Sequence, residues 1–190
     1  ALNLVGGAGM GKSRLLAEFT DYLGERGVIV LSYACQSHER HIAYRAVRAL
    51  FAQLCGCAAE DDAEEQSRKV AVTLTATAPA LLDWMPHLSD LLGFSEPGAG
   101  ERRDAVTAKR VTQQAARQIL LALAAKHGLV VILDDVQWAD PLSLELLQLL
   151  INDTSSSRLL LILAQRPDFL APWKDREQLQ RLTLAPMTEA

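Results

Sequence analysis

Residues 6–13 read Gly6-Gly7-Ala8-Gly9-Met10-Gly11-Lys12-Ser13, matching the pattern G-x-x-x-x-G-K-[ST] at every fixed position. The apolar Leu2-Asn3-Leu4-Val5 before them is long enough for a short buried strand. After them Leu15, Leu16, Phe19 and Leu23 recur at helical spacing, and Gly27 is a natural stop. The stretch therefore joins a strand to a helix, the context that a phosphate-cradling loop needs. Its glycines let backbone N–H groups from Gly6 to Arg14 converge on phosphate oxygens without Cβ obstruction. The helix that opens there adds its positive end. Lys12 can reach β- and γ-phosphates, and the Ser13 hydroxyl can ligate Mg²⁺.

Outward from this loop, apolar runs and helical periods alternate. Val28–Cys35 reads as a second strand, and Tyr44 to about Leu54 as a helix buried through Val47, Leu50, Phe51 and Leu54. The acidic residues 60–65 form a solvated helix start or surface loop. Leu81–Leu92 reads as a helix with Trp84 and Met85 in the core, and Ser95–Gly100 as a loop. A long helix is expected from about Asp104 to Lys126, with Ala108, Val111, Ala115, Ile119 and Ala122 as its buried stripe. Arg102, Arg103, Lys109 and Arg110 are read as a solvated basic face. Leu129–Leu133 is a continuous apolar run, as in a parallel strand covered on both faces. Asp140-Pro141 supplies an N-cap and a first-turn proline for a helix carrying Leu144, Leu147 and Ile151. Leu159–Ala164 is another strand, followed by a short helix near Arg176–Leu179 and a last strand at Arg181–Leu184. This alternation predicts an α/β fold: an open parallel sheet with helices on both faces.

A phosphate loop alone binds phosphate; hydrolysis also needs a metal anchor and a group that positions water. Leu133-Asp134-Asp135 puts two carboxylates at the C-terminal end of a buried strand, where ligands bind in parallel sheets. Asp134 is the candidate Mg²⁺ anchor and Asp135 the candidate general base. Arg166, at the end of the next strand, is placed to read whether a γ-phosphate is present. Asp140 is accounted for as a helix cap, and Trp138 as a packing residue.

The stretch from Leu133 through Asp134-Asp135-Val136-Gln137-Trp138-Ala139-Asp140-Pro141 to Leu144 resembles the extended Walker-B signature of STAND-type, AAA-like ATPases. Such modules occur in large ATP-binding regulators of the LuxR family and beside class III nucleotide cyclases. The resemblance runs from Gly6 to Met187 and implies a P-loop NTPase three-layer sandwich with strand order 5-1-4-3-2. It implies ATP or ADP with Mg²⁺ as ligands. It gives Lys12 and Ser13 the Walker-A roles, Asp134 and Asp135 the Walker-B roles, and Arg166 a sensor role. The family's Gly-Arg-Glu segment before the first strand and its lid and winged-helix region are not in the sequence. The Pro-Tyr or Pro-Phe pair after the second strand is replaced by Ile42-Ala43-Tyr44. The chain thus reads as one NTPase core domain, residues 1–190, cut from a longer polypeptide.

With 190 residues the chain is long enough for one domain with a real core. Its net charge of −4 argues against a broad nucleic-acid-binding face. Cys35, Cys55 and Cys57 lack metal-ligand spacing and read as reduced thiols of a cytoplasmic protein. No apolar run is long enough to span a membrane. The expected activity is ATP hydrolysis driving a signalling or transcription-regulatory switch. Its expected partners are output domains of the same polypeptide and a nucleotide-dependent oligomer. A small-molecule kinase and a nucleotide-binding scaffold are the alternatives.

Overall fold

Five strands pair in parallel in the order β2-β3-β4-β1-β5 in the computed structural model, which describes residues 1–93, 105–173 and 176–185. They are β1 (Leu2–Val5), β2 (Ile29–Ala34), β3 (Leu129–Asp134), β4 (Leu159–Gln165) and β5 (Gln180–Thr183). Read from the other edge, this is the expected order 5-1-4-3-2. The helices are α1 (Lys12–Gly24), α2 (Arg45–Cys55), α3 (Ala63–Thr77), α4 (Met85–Leu92), α5 (Ala105–His127) and α6 (Pro141–Asp153).

The central strands show why unbroken apolar runs form here. Successive side chains point to opposite faces. Leu129, Val131 and Leu133 of β3 join one core, while Val130 and Ile132 join another. In β4, Leu159, Leu161 and Leu163 face the first core, and Ile162 and Ala164 the second. The first core is closed by α2 to α6, through residues such as Phe51, Leu74, Leu88, Leu120 and Leu147. Among the described residues, α1 is the helix on the other face, packing through Leu16, Phe19 and Leu23. The molecule is therefore a three-layer sandwich. β1 lies inside the sheet between β4 and β5, while β5 is an exposed edge.

Several expectations need correction. The helix expected over Leu81–Leu92 is a 3₁₀ segment, Pro79–Trp84, followed by α4. Pro86 has no N–H for an α-type bond to Leu82 and sits in the first turn of α4 instead. Tyr44 caps α2 with φ 56° rather than opening it. Residues 176–179 form a single turn, with the Leu179 N–H donating to the Arg176 carbonyl at 3.0 Å, not a helix. The stripe of α5 is rotated: Ala108 is exposed and Ala122 half-buried, whereas Thr112, Ala116, Leu120 and Leu123 are buried beside Ala115 and Ile119. The acidic run resolves into Asp62 capping α3 and accepting from the Glu65 N–H at 2.8 Å. Lys109 pairs with Glu145 at 2.9 Å, as suits a solvated face. The expected loop at residues 95–100, Arg102, Arg103 and the helix start at Asp104 lie outside the described residues, as do Pro186 and Met187.

Candidate functional site

The parallel register fixes what meets at the C-terminal ends of the strands. Val5 is opposite Gln165, so the loop leaving β1 starts beside the tip of β4. The Gly6 N–H donates to the Gln165 carbonyl at 3.2 Å, stapling the two together. Gly9 (φ 75°) and Gly11 (φ 79°) take the left-handed backbone that the turn into α1 requires. Gly11 is the N-cap of α1, with no side chain capping the helix and no acid in its first turn. Both α3 and α6, by contrast, are capped by aspartates. The first-turn N–H groups of α1, including those of Ser13 and Arg14, are thus left for an anion.

Lys12 is 6 % exposed, and its Nζ donates to the carbonyls of Gly6 and Gly7, each at 3.0 Å. It folds back over the loop that would hold phosphate. The Gly7 N–H donates to Met10 Sδ at 3.2 Å, so Met10 packs on Gly7 while Ala8 is exposed. The Arg14 side chain points outward to Glu18 at 2.9 Å. Any part of Arg14 in anion binding therefore falls to its backbone.

The two halves of the site touch. The Ser13 hydroxyl donates to Asp134 Oδ2 at 2.5 Å. Asp134 Oδ1 accepts the Asp135 N–H at 2.8 Å. Asp135 itself sits at φ 51°, ψ 44°, a left-handed turn that ends β3 and starts the 3₁₀ segment Val136–Trp138. Aspartate tolerates that conformation better than most residues. A cavity of about 330 Å³ opens beside Ser13 and Asp134, between α1 and β2, walled by Thr20, Asp21, Ser32 and Tyr33.

Arg166 follows directly on β4, the strand next to β1, as expected. Its guanidinium carbon lies 5.9 Å from the centre of the Trp138 ring, and its buried Nε has no hydrogen-bond partner among the described residues. Trp138 is half-buried against the main core. Asp140 is 2 % exposed; its Oδ1 accepts the Ser143 N–H at 3.0 Å, capping α6, and the Tyr44 N–H at 2.8 Å.

One residue was not singled out from the sequence. Gln137 lies two positions after Asp135, and its Nε2 donates to Asp135 Oδ1 at 2.8 Å. Its Oε1 accepts the Arg166 N–H at 3.2 Å. Its only sequence signal is its place inside the stretch 133–144.

The donor set is the right kind for magnesium. Hard oxygens from one hydroxyl and one carboxylate converge at Ser13 and Asp134, and such sites typically use one or two carboxylates with substrate phosphates. Among the described residues no group of three or more His, Cys, Asp or Glu could hold a metal ion by itself.

The family model described as AAA ATPase domain matches residues 1–162. The chain belongs to the AAA ATPase domain family. That membership makes nucleotide binding and ATP hydrolysis its general class of activity, and it covers the phosphate loop, both acids and most of β4. No curated protein matches the chain significantly. None of the described helices is long and apolar enough to cross a membrane.

Proposed function

We propose that this AAA domain binds ATP in the loop from Gly6 to Arg14 with Mg²⁺ and hydrolyses it slowly as a nucleotide switch. The observation that carries the proposal is the Ser13–Asp134 contact, which joins the phosphate loop to the acid pair. In this reading Lys12 leaves the Gly6 and Gly7 carbonyls for β- and γ-phosphate oxygens. Backbone N–H groups at the start of α1 donate to the remaining phosphate oxygens. Ser13 and Asp134 would hold Mg²⁺, which when bound neutralises charge on the β- and γ-oxygens. Asp135 accepts the proton of the attacking water. Arg166 meets the γ-phosphate and distinguishes ATP from ADP. The STAND-like stretch 133–144 supports a signalling or transcription-regulatory setting, with output domains in the same polypeptide and assembly that depends on nucleotide. Three free cysteines fit a cytoplasmic setting.

The two acids separate the parts of this reading. Asp134→Asn is expected to weaken Mg²⁺-dependent ATP binding and turnover together. Asp135→Asn is expected to keep ATP affinity within about twofold and to lower turnover by about 10²–10⁴-fold, the usual range for a lost general base. Calorimetric binding and phosphate release on both variants check it. Equal loss of binding in the two would overturn the division of roles.

A further inference from the structure

Asp135 is the last acid before a turn, and a carboxylate on a turn is free to rotate unless something holds it. Gln137 does so from within the same turn, through its Nε2 bond to Asp135 Oδ1 at 2.8 Å. The orientation of its amide follows from its partners. An ionised carboxylate can only accept and a backbone N–H can only donate, so Nε2 must face Asp135 and Oε1 must face Arg166. The second bond reaches 29 residues along the chain to the first residue after β4. That residue is Arg166, next to the point where Gly6 is stapled to Gln165. Its guanidinium, over Trp138, approaches the neighbouring residue of the same turn. One half-buried side chain thus bridges the candidate base and the candidate γ-phosphate reader.

We propose that Gln137 is a positioning residue that ties the Asp135 carboxylate to the tip of β4, so that a shift at Arg166 on meeting γ-phosphate re-aims the base. This rests on the roles given above to Asp135 and Arg166. A side-chain amide suits the task because it holds a carboxylate at one end and a backbone N–H at the other. Neither a carboxylate nor an apolar side chain can do both. The coupling runs through two hydrogen bonds in series, so each can be cut separately.

Gln137→Met removes both bonds at similar volume, while Gln137→Glu keeps an acceptor for the Arg166 N–H and loses the donor to Asp135. In the 190-residue chain, Gln137→Met should lower kcat by about tenfold, the effect of one such bond, with ATP affinity within about twofold. Exchange of the Arg166 amide, read by NMR, should quicken. Gln137→Glu should lose at least as much turnover, its carboxylate repelling Asp135, yet keep the Arg166 amide protected. A mere packing role would not split the two variants in this way. Wild-type turnover in Gln137→Met, or equal Arg166 exchange in the two variants, would overturn the proposal. Asp135→Asn run alongside tells the two failures apart. If it turns over normally, the base assignment is wrong and the proposal falls with it. If it is inactive while both Gln137 variants are active, only the positioning role fails. Should the wild-type chain show no turnover, the Asp135 side-chain rotamer, read by NMR at neutral pH, decides. Averaged rotamers in Gln137→Met support the bridge, because the bond that holds Asp135 Oδ1 is lost. The wild-type rotamer retained in Gln137→Met overturns it.

Discussion

Lys12 and Arg166 are the cations that the proposed function turns toward phosphate, and they stand in different states. The Lys12 ammonium is buried and held by two carbonyls, so phosphate must compete with a satisfied pair of hydrogen bonds. Its charge still dominates, because a carbonyl dipole neutralises an ammonium far less than a phosphate oxyanion does. Lys12→Ala should weaken ATP binding by roughly ten- to a hundred-fold, corresponding to about 1.5–3 kcal/mol for a charge-assisted contact. Unchanged affinity by calorimetry would show that the loop does not hold phosphate. The Arg166 Nε, by contrast, is buried with no partner among the described residues and gains one if the guanidinium swings from Trp138 to an anion. A contact to the γ-phosphate alone stabilises the ATP state over the ADP state, and only such differential affinity shifts an equilibrium. Arg166→Ala is therefore expected to remove most of any ATP-over-ADP preference, about ten- to a hundred-fold, with ADP affinity little changed. Equal losses for both nucleotides would show that Arg166 does not read the γ-phosphate.

At the scale of elements, Asp140, just past the turn that ends β3, joins the starts of two helices. Its Oδ1 accepts from both the Ser143 N–H in the first turn of α6 and the N–H of Tyr44, the left-handed residue that caps α2. Replacing Asp140 strips the cap of α6, at about 0.5–2 kcal/mol, and orphans the buried N–H of Tyr44, at about 1–3 kcal/mol. Asp140→Ala should thus cost on the order of 2–4 kcal/mol in urea unfolding. Asp140→Asn, which keeps the acceptor, should recover most of it. A loss under about 0.5 kcal/mol for the alanine variant would mean the cap is redundant. Half of this role was legible in the sequence: Asp-Pro before an apolar period announces a helix start, but nothing local announces a bond to Tyr44. The same line divides the rest. The phosphate loop, β3 and β4 could be read because glycine spacing and two-sided apolar runs are local signals. The strand order came from the resemblance of residues 133–144, since register between distant strands leaves no local trace. Gln137 escaped notice because its meaning lies in a partner on another strand. The face of α5 was misread because that helix packs against both the sheet and other helices. Buried polar residues such as Gln113, which donates to Glu145 at 3.1 Å, interrupt its apolar stripe.

The whole molecule distributes its burial unevenly between the two sheet faces, and this has a consequence at alkaline pH. The large core beneath α2 to α6 takes in Cys35 and Tyr44, with Cys55 packed against it. Burial pushes the Cys35 thiol up to about 12, helped by the charges of Asp140, Asp134 and Asp135 at the site. Burial likewise raises Tyr44 to about 12 and Cys55 to about 11. Their ordinary values are 9.0 for the thiols and 10.0 for the phenol. These are acids whose folded-state values lie above the unfolded ones, so the unfolded chain loses protons first as pH rises. Their contribution to stability is complete below pH 9 and is lost progressively from there through the folded values of about 11 and 12. Each group can cost up to about 1.4 kcal/mol per pH unit above its unfolded value. Urea midpoints should accordingly be flat near neutrality and fall steeply from pH 9 upward. Cys35→Ala should flatten part of that fall, because an alanine has no proton to release. A midpoint that holds constant through the alkaline range would mean that these groups ionise as readily in the folded core as outside it. The acid pair at the tip of β3 would then exert no field on the thiol at the tip of β2.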